Sequence, residues 1–445
     1  MKLERFSRIG FILAAAGSAV GLGNIWKFPY MVGENGGGAF VMVYLLTVLV
    51  IGFSIMIAEM LIGYLGRGDT VTSFENLAPN HKKLWKLAGF QAITALLIMS
   101  FYSVVIGWIF NYVVISAISL PSTFEEAKTV FTTMVGSDIY TQLFYHTLAF
   151  LSITYVVNRG IKGGIEKLNL ILMPALMFIF IGMFFYATTL DGFSHAISFM
   201  FTADWSKINA TVVLSAIGQA FFTLSLGMGA IMTYSASLPE KSNLLKSSLW
   251  VVFLDTSVAI VAGIVLFTFV FHNGAEASQG PGLVFMSLPV AFHGLGTIGT
   301  YIAVLFFIAL AFAGFTSAVS LLEPMVQFVI GRFNWSRLKA SIAMGSAFYL
   351  IGIVALLSNT SQFGEALTFG GKNVFDHLDF FTSAIMLPLA GLIMAIFIGY
   401  FVEKSKIEAV LKQHLGFTFE IWYFSLRFIA PIALVLVALS SMKII

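Results

Sequence analysis

The sequence of 445 residues predicts an all-α polytopic membrane protein with eleven transmembrane helices, arranged as two inverted repeats of five helices plus one extra helix. Three observations support this fold class. Hydrophobic residues make up 59% of the chain, charged residues make up 10%, and the mean hydropathy is +0.94, a composition that would be insoluble if the chain folded in water. The apolar residues form eleven runs near the length of a bilayer span. Two of these runs are interrupted by glycines, and each of the two begins a set of five.

The predicted spans lie at 8–30, 38–66, 87–117, 140–158, 166–187, 211–236, 245–272, 296–330, 339–358, 374–402 and 420–443. Of the lysines and arginines, eighteen fall in segments on the side of the N-terminus, five fall on the other side, and Arg427 lies within the last span. This bias predicts a cytoplasmic N-terminus, and the odd number of spans then places the C-terminus outside.

We interpret residues 1–445 as a single domain, with a first repeat over 8–187, a second over 211–402 and the extra helix over 420–443. The residues before Ile9 are short and basic and show no cleavable signal. The absence of cysteine excludes disulfides, thiolate metal sites and thiol nucleophiles. We therefore expect a multi-pass protein of a bacterial inner (plasma) membrane.

The first interrupted run holds the stretch Gly17-Ser18-Ala19-Val20-Gly21-Leu22-Gly23-Asn24-Ile25-Trp26-Lys27-Phe28-Pro29. Gly21 and Gly23 weaken the helix by roughly 1 kcal/mol each relative to alanine. Asn24 and Lys27 follow at a depth where lipid would tolerate neither. Unwound backbone is tolerated at that depth only where it is buried in protein or lines a wet cavity. The alternative is a kinked helix that packs through its glycines.

The second interrupted run holds Phe222-Thr223-Leu224-Ser225-Leu226-Gly227-Met228-Gly229. Two broken helices at corresponding places in two halves of a chain are typical of a transporter binding site. We therefore predict that the two breaks form the substrate site.

Unwinding would free peptide groups at the first break, namely the carbonyls of Gly17, Ala19 and Val20 and the amides of Gly21 and Gly23. Such amides attract an anionic group, and carbonyls suit a hard cation such as sodium. Asn24 adds a side-chain oxygen, and Thr223 and Ser225 add hydroxyls at the second break. The alternative for these hydroxyls is a bond back to their own helical turn.

Polar residues in other spans are candidates for the same site. Asp255 is a costly carboxylate deep in the seventh span, and a bound cation or a hydrogen bond from a neighbouring helix would satisfy it. Thr316 and Ser317 follow a glycine in the eighth span, where packing of small residues is the alternative reading. Glu59 and Glu323 are interpreted as structural acceptors for the backbone amides of a broken helix.

Two further features flank the first break. Tyr102 on the third span could donate its hydroxyl to a carboxylate, although an ordinary core tyrosine explains it equally well. Lys27 and Asp379 lie on the same predicted side of the membrane. An exposed pair contributes only ~0–1 kcal/mol to stability, but it could close over a site as a latch.

Taken together, these motifs resemble those of the neurotransmitter:sodium symporter family, and the eleven spans resemble its bacterial branch of amino-acid transporters. The resemblance rests on four stretches, namely Ala19 to Tyr30 with Glu34 to Phe40, Gly218 to Gly227, Gly280 to Phe285, and Ala313 to Ser317. It implies a broken-helix symporter, with sodium as the coupling ion.

The resemblance also implies roles for individual residues. It implies a first sodium ion bound by the Ala19 carbonyl, Asn24, Thr223, Asp255 and the substrate carboxylate. It implies a second sodium ion bound by the carbonyls of Gly17, Val20 and Ala313 and the hydroxyls of Thr316 and Ser317. It implies a substrate held by Ala19, Gly21, Gly23, Tyr102, Phe222, Thr223 and Ser225, with a side-chain pocket of Ile98, Phe222, Met228, Ala318 and Leu321 edged by Ser18, Ser225 and Ser317. It implies an outer gate of Lys27, Phe222 and Asp379.

Gly21 and Met228 bear on the class of substrate. Relatives that carry monoamines have an aspartate where this chain has Gly21, so the resemblance favours a ligand that brings its own carboxylate. The pocket has no full charge, and burying an unpaired charged side chain would cost several kcal/mol. Met228 replaces a common aromatic with an adaptable side chain. We predict an apolar or aromatic α-amino acid, with a β-amino or sulfonic acid as the alternative.

Two positions depart from the family pattern. Tyr44 and Gln219 match the chloride site of the family, but Ala259 stands at the serine position. Asp255 stands where relatives often have asparagine. We hypothesise that its charge offsets sodium and that chloride is not required.

At the inner gate, relatives have an arginine and a tryptophan that latch to an aspartate. This chain has Lys2, Arg5 and Phe6, and Gly331 near the place of the acid. How this gate closes therefore stays open.

Competing classes fit less well. A channel or a receptor on the same fold would need a pore or a signalling domain, and no water-soluble segment is long enough to fold alone. An enzyme is not expected, because the histidines show no spacing typical of a metal site or a catalytic triad. The expected partners are the lipid bilayer and a small-molecule amino acid, without nucleic acid, and the oligomeric state stays open between monomer and homodimer.

Overall fold

The computed structural model describes residues 4–274 and 282–442, and it is almost entirely helical. Its spans, in chain order, are Arg8–Ala19 with Gly23–Glu34, Gly38–Gly66, Lys82–Ile118, Ile139–Asn158, Ile161–Ala187, Ala210–Thr223 with Ala230–Ala236, Leu244–His272, Thr297–Phe333, Arg337–Leu357, Val374–Phe401 and Thr418–Ser441. These are the first to eleventh spans below. The prediction of an all-α polytopic membrane fold is confirmed.

Within the described ranges, eight helices are single segments long and apolar enough to cross a membrane, and the bent first pair brings the number to nine. The fourth span is a less apolar helix, and the sixth is broken into two short ones. The third span begins at Lys82, earlier than the predicted 87, because a 3₁₀ turn joins two helical pieces. The division into two repeats remains a prediction.

Side-chain caps begin several of the spans. Ser7, Asn209, Asn243 and Asn373 each accept a hydrogen bond from a backbone amide of the first helical turn, over 2.8–3.0 Å. A cap of this kind satisfies one of the amides that a helix start leaves unpaired. Three of these caps begin the two broken spans and the seventh span, which together form the site below.

The connecting segments carry short helices on both sides of the bundle. After odd-numbered spans these are Phe124–Gly136, Gly192–Phe201 and Leu283–His293, together with an antiparallel hairpin of Thr368–Phe369 and Lys372–Asn373. After even-numbered spans they include Thr70–Leu77 and Lys404–Leu415. Lys2, Lys443 and the Gly280–Pro281 part of one motif lie outside the described residues.

The two broken spans lie in the centre of the bundle. Every residue of Ala230–Ala236 is buried, and Arg8–Ala19 packs against the fifth, seventh and eighth spans. The fifth span instead exposes large apolar side chains such as Phe178 and Phe185 on its outer face. Polar groups freed by the breaks are therefore shielded from lipid, as backbone in a membrane requires.

Candidate functional site

The first break is a bend of 47° between Arg8–Ala19 and Gly23–Glu34. The chain leaves the helix after Ala19 and continues in a wide π turn over Gly23–Lys27. The predicted break is therefore present. One detail of the prediction is wrong, because the Gly21 amide is not free: it donates to Asn24 Oδ1 over 3.0 Å.

The second break separates Ala210–Thr223 from Ala230–Ala236. Three residues in it have left-handed backbone, with φ of +52° at Ser225, +78° at Gly227 and +74° at Gly229. Glycine adopts this conformation without steric cost, whereas Ser225 is a strained exception.

Two carboxylates were predicted to accept from the backbone amides of a broken helix. Glu59 does so, since its carboxylate accepts from the Gly227 amide over 3.0 Å and from the Met232 amide over 3.4 Å. For Glu323 the prediction is wrong. Its side chain is fully buried and pairs with Arg337, whose Nη2 lies 2.5 Å from Oε2.

Serine hydroxyls join the two breaks to each other and to the eighth span. Ser225 Oγ donates to the Ser18 carbonyl over 2.7 Å, so it does not bond back to its own turn. Ser317 Oγ lies 3.1 Å from the carbonyls of Gly17 and Ser18, and Ser320 Oγ donates to Ser18 Oγ over 2.7 Å. The three segments therefore meet at the last turn of the helix Arg8–Ala19, directly before the first break.

A small cavity lies at this junction. Of the predicted substrate-binding residues, the structure places ten around it: Ala19, Gly21, Gly23, Ile98, Tyr102, Phe222, Ser225, Met228, Ser317 and Leu321. Ser18 and Leu22 also line it, and Leu22 was missed. Thr223 and Ala318 are buried but do not line the cavity. Its volume of about 20 Å³ has room for about one water molecule.

Glycines keep this cavity open beside the backbone. A Cβ at Gly21 would lie 2.6 Å from Ser317 Oγ and 3.0 Å from Tyr102 Oη, and a Cβ at Gly23 would lie 3.0 Å from the Phe222 ring. Tyr102 Oη in turn accepts from the Leu22 amide over 3.3 Å. A polar ligand group at this place could therefore contact the main chain directly.

The residues of the predicted first sodium site are brought together beside the cavity. Asn24 Nδ2 donates to Asp255 Oδ1 over 2.7 Å and to the Asp255 carbonyl over 3.0 Å. Asp255 Oδ2 is buried without a hydrogen-bond partner in the described part of the chain. Ala19 and Thr223 are buried nearby on the two breaks, and Thr223 Oγ1 lies 3.3 Å from Tyr44 Oη. The unpaired carboxylate oxygen fits a hard cation.

The residues of the predicted second sodium site form a separate cluster between the first and eighth spans. Ser317 Oγ lies 3.1 Å from the Gly17 carbonyl and 3.4 Å from the Val20 carbonyl. Thr316 Oγ1 bonds back to its own helix, at 3.0 Å from the Phe312 carbonyl and 3.1 Å from the Ala313 carbonyl. The carbonyl and hydroxyl groups of this cluster all present oxygen atoms, and oxygen is the ligand atom that sodium prefers.

Sequence reasoning missed one residue at the second cluster. Asn169 of the fifth span is fully buried, and its Oδ1 has no partner among the described residues. A Cβ at Gly17 would lie only 1.9 Å from that oxygen, so the glycine makes room for it. The feature of the sequence that could have identified Asn169 is that it is a single asparagine in an otherwise apolar stretch of the span.

The predicted outer gate is not latched in this structure. Lys27 Nζ lies 4.3 Å from the centre of the Phe222 ring, and Asp379 Oδ1 accepts from Ser383 Oγ over 3.1 Å. Lys27, Phe222 and Asp379 instead line a second cavity of about 220 Å³. Leu22, Tyr102 and Phe222 line both cavities and therefore lie between them.

At the other end of the first span, Phe6 packs against two aromatic rings. Its buried ring lies 5.3 Å from the Tyr234 ring and 6.0 Å from the Phe11 ring. Arg5 forms an exposed pair with Glu240 at 3.5 Å.

A small pocket where two interrupted helices meet, with oxygen ligand atoms around it, is typical of an ion-coupled membrane transporter. The chain belongs to the sodium:neurotransmitter symporter family, because a sequence model of that family matches residues 4–135 and 135–445. It is therefore a sodium-dependent transporter.

Individual relatives agree with this assignment. The chain is 34% identical to an uncharacterised sodium-dependent transporter, YhdH, of Bacillus subtilis (strain 168), over 99% of this chain and 97% of the relative. It is 24% identical to sodium-dependent nutrient amino acid transporter 1 of Drosophila mojavensis, over 98% of this chain and 76% of the relative. Its fold matches the crystal structure of MhsT in complex with L-phenylalanine with a TM-score of 0.90 and 43% identity, over 99% of this chain and 100% of that one.

Proposed function

We propose that this protein imports an amino acid with an apolar or aromatic side chain, coupled to sodium, by alternating access. The observation that carries the proposal is the cavity at the two breaks, where main-chain groups lie beside an apolar lining. Two similarities support an amino acid: MhsT forms a complex with L-phenylalanine, and the relative from Drosophila mojavensis is a sodium-dependent nutrient amino acid transporter.

In this proposal the substrate carboxylate lies at the first break, near Gly23 and Tyr102, and the amine meets carbonyls near Ala19, Phe222 and Ser225. Ile98, Met228 and Leu321 contact the side chain of the substrate. A ligand larger than a water molecule must enlarge the cavity, and in this proposal the side chains of Phe222 and Met228 move to make room. A charged side chain would be buried there unpaired, at a cost of several kcal/mol.

Two sodium ions are the proposed coupling ions. The first would lie between Asn24, Asp255, Thr223 and the Ala19 carbonyl and share the substrate carboxylate, so that each ligand strengthens binding of the other. The second would lie between the first and eighth spans, at the oxygens of Gly17, Val20, Ala313, Thr316 and Ser317. Each positive charge that moves down a potential of 100 mV contributes ~2.3 kcal/mol, enough to accumulate a zwitterion.

Chloride is not expected to be required. Gln219 Nε2 donates to the Gly23 carbonyl over 2.8 Å, and Ala259 contributes no hydroxyl to the neighbouring helix face. The fixed carboxylate of Asp255 would offset the sodium charge in place of an anion. Uptake that is unchanged when gluconate replaces chloride would support this, and strict chloride dependence would contradict it.

We further propose the orientation given by the positive-inside bias, with the N-terminus in the cytoplasm and the C-terminus outside the plasma membrane. The test of function is uptake of labelled amino acids into proteoliposomes with a sodium or a potassium gradient. A thermal-shift screen of twenty amino acids, with β-alanine and taurine added, would select the substrates to label. Saturable, sodium-driven accumulation is expected. Binding without accumulation would indicate a receptor, and non-saturable flux would indicate a channel.

A further inference from the structure

Arg427 is a cation inside the eleventh span, Thr418–Ser441, where lipid surrounds much of the helix. It is partly buried, and among the described residues no carboxylate lies within 4.0 Å of its guanidinium. Its Nε is buried without a hydrogen-bond partner in the same part of the chain. A charged group at this position is costly unless it has an anionic partner or reaches the headgroups.

The backbone around Arg427 is built to hold this side chain. A π turn over Ser425–Ile429 faces a second π turn over Phe397–Phe401. Tyr400 Oη donates to the Arg427 carbonyl over 2.8 Å, and Tyr423 Oη donates to the Gly399 carbonyl over 2.9 Å. The two spans are therefore joined by a reciprocal pair of tyrosine hydrogen bonds at the level of Arg427.

Gly399 brings the arginine stem close to the tenth span. A Cβ at Gly399 would lie 2.9 Å from Arg427 Cγ. The guanidinium carbon then lies 4.5 Å from the centre of the Tyr400 ring and 5.4 Å from that of Tyr423. These aromatic faces orient the guanidinium and partly offset its charge, but they leave its N–H donors available.

The neighbouring basic residues are already paired with acids. Lys404 Nζ lies 5.2 Å from the centre of the same Tyr423 ring and 2.8 Å from a carboxylate oxygen of Glu420. On the helix Lys404–Leu415, Lys412 pairs with Glu408 at 3.2 Å, and Lys406 pairs with Glu403 at 3.5 Å. Arg427 is thus the cation of this cluster that has no acidic partner among the described residues, and it lies beside Gly399, two residues before the tenth span ends at Phe401.

The outward side of the site is apolar. Phe424 and Phe428 flank Arg427 on the same span and are 56% and 45% exposed, and Tyr400 is 48% exposed. The acyl chains of a lipid could cover these exposed rings, whereas a free anion would leave them uncovered.

We propose that Arg427 binds the phosphate of an anionic phospholipid in the leaflet on the side of the helix Lys404–Leu415. The planar guanidinium can donate two parallel hydrogen bonds to phosphate oxygens, and the acyl chains would pack against Phe424 and Phe428. This site is separate from the substrate cavity and does not depend on the identity of the substrate.

The test compares the full-length protein in nanodiscs of phosphatidylcholine alone and of phosphatidylcholine with phosphatidylglycerol. The readouts are the thermal midpoint and the phosphatidylglycerol retained in native mass spectrometry. Arg427→Gln removes the charge, Arg427→Lys keeps the charge without the planar fork, and Lys412→Gln is the matched control because it removes a paired cation nearby. Inorganic phosphate and glycerol 3-phosphate are added to separate discs of phosphatidylcholine.

Phosphatidylglycerol is expected to raise the midpoint of the wild type and of Lys412→Gln. Arg427→Gln should bind it about fivefold more weakly, the factor that corresponds to about 1 kcal/mol for a basic residue at an anionic surface. The affinity of Arg427→Lys for phosphatidylglycerol should lie between that of the wild type and that of Arg427→Gln. In phosphatidylcholine alone Arg427→Gln should be at least as stable as the wild type, because it has lost an unpaired charge.

An equal phosphatidylglycerol effect in Arg427→Gln and wild type would overturn the proposal. So would stabilisation by the soluble phosphates, which would indicate a site for free phosphate. If Arg427→Gln does not fold, a photoreactive phosphatidylglycerol on the wild type decides: cross-links concentrated at 397–404 and 421–431 support the site, and cross-links spread along all spans contradict it.

Discussion

Ser225 and Ser18, which lie on different broken helices, are joined directly: the Ser225 hydroxyl donates a 2.7 Å hydrogen bond to the Ser18 carbonyl. Ser225 holds a left-handed backbone conformation to make this contact. The bond ties the second break to the first at the wall of the cavity, where a ligand would contact both.

Replacing Ser225 by alanine is expected to weaken ligand binding. Loss of a buried hydrogen bond costs about 1 kcal/mol, which is roughly fivefold in affinity. The measurement is sodium-dependent binding of L-phenylalanine to purified protein. Ser235→Ala is the control, because Ser235 Oγ donates only within its own helix, to the Ile231 carbonyl. Equal affinities for the two variants would contradict the role given to Ser225.

Asn24→Ala is expected to abolish stabilisation by sodium. The change removes the acceptor for the Gly21 amide and leaves Asp255 Oδ1 without its 2.7 Å donor. The measurement is the thermal midpoint as a function of sodium concentration, with potassium keeping the ionic strength constant. Asn35→Ala should behave like the wild type, because Asn35 Nδ2 donates to the Met31 carbonyl of its own helix. Wild-type sodium affinity in Asn24→Ala would refute the assignment.

Asp255→Asn is expected to lower the affinity for sodium and to make uptake depend on chloride. The substitution keeps the shape of the side chain but removes the charge that we propose offsets the cation. Uptake is measured in chloride and in gluconate for both proteins. Chloride-independent uptake by Asp255→Asn with unchanged sodium affinity would show that the charge has no such role.

Gly17→Ala is expected to destabilise the protein, because the new Cβ would lie 1.9 Å from Asn169 Oδ1. Overpacking of this kind costs about 1–3 kcal/mol. Asn169→Ala should recover part of the loss in the double variant, with Thr316 Cβ, at 3.2 Å, limiting the recovery. Gly182→Ala on the fifth span is the control, since its Cβ would meet nothing within 4 Å. Additive changes in the thermal midpoint would show that Gly17 and Asn169 do not interact.

Arg337→Met is expected to lower stability by about 3 kcal/mol, because it leaves the buried Glu323 carboxylate without its cation. Adding Glu323→Gln should recover much of the loss. The thermal midpoint is the measure, with the exposed Arg332→Met as control. A midpoint equal to that of the wild type would show that the pair contributes little.

Local patterns were sufficient to predict the two breaks, because glycines and polar residues such as Asn24 conflict with a continuous helix in lipid. They could not pair Asn24 with Asp255, which is 231 positions away; only the family resemblance did so. Asn169 was missed because a single polar residue in an apolar run has no periodicity. Glu323 was misassigned because its partner, Arg337, lies on the next span.

The breaks have an evolutionary consequence. Every residue type except proline carries the same backbone N–H and C=O groups, so most side-chain exchanges at the junction leave the main-chain groups around the cavity in place. Binding of the amine and carboxylate of a zwitterion would then be retained as long as the backbone keeps its conformation. Substitutions at Ile98, Met228 or Leu321 would instead change which substrate side chain fits the pocket. Descendants of such a protein could therefore change their substrate specificity and keep the backbone sites that couple transport to the sodium gradient.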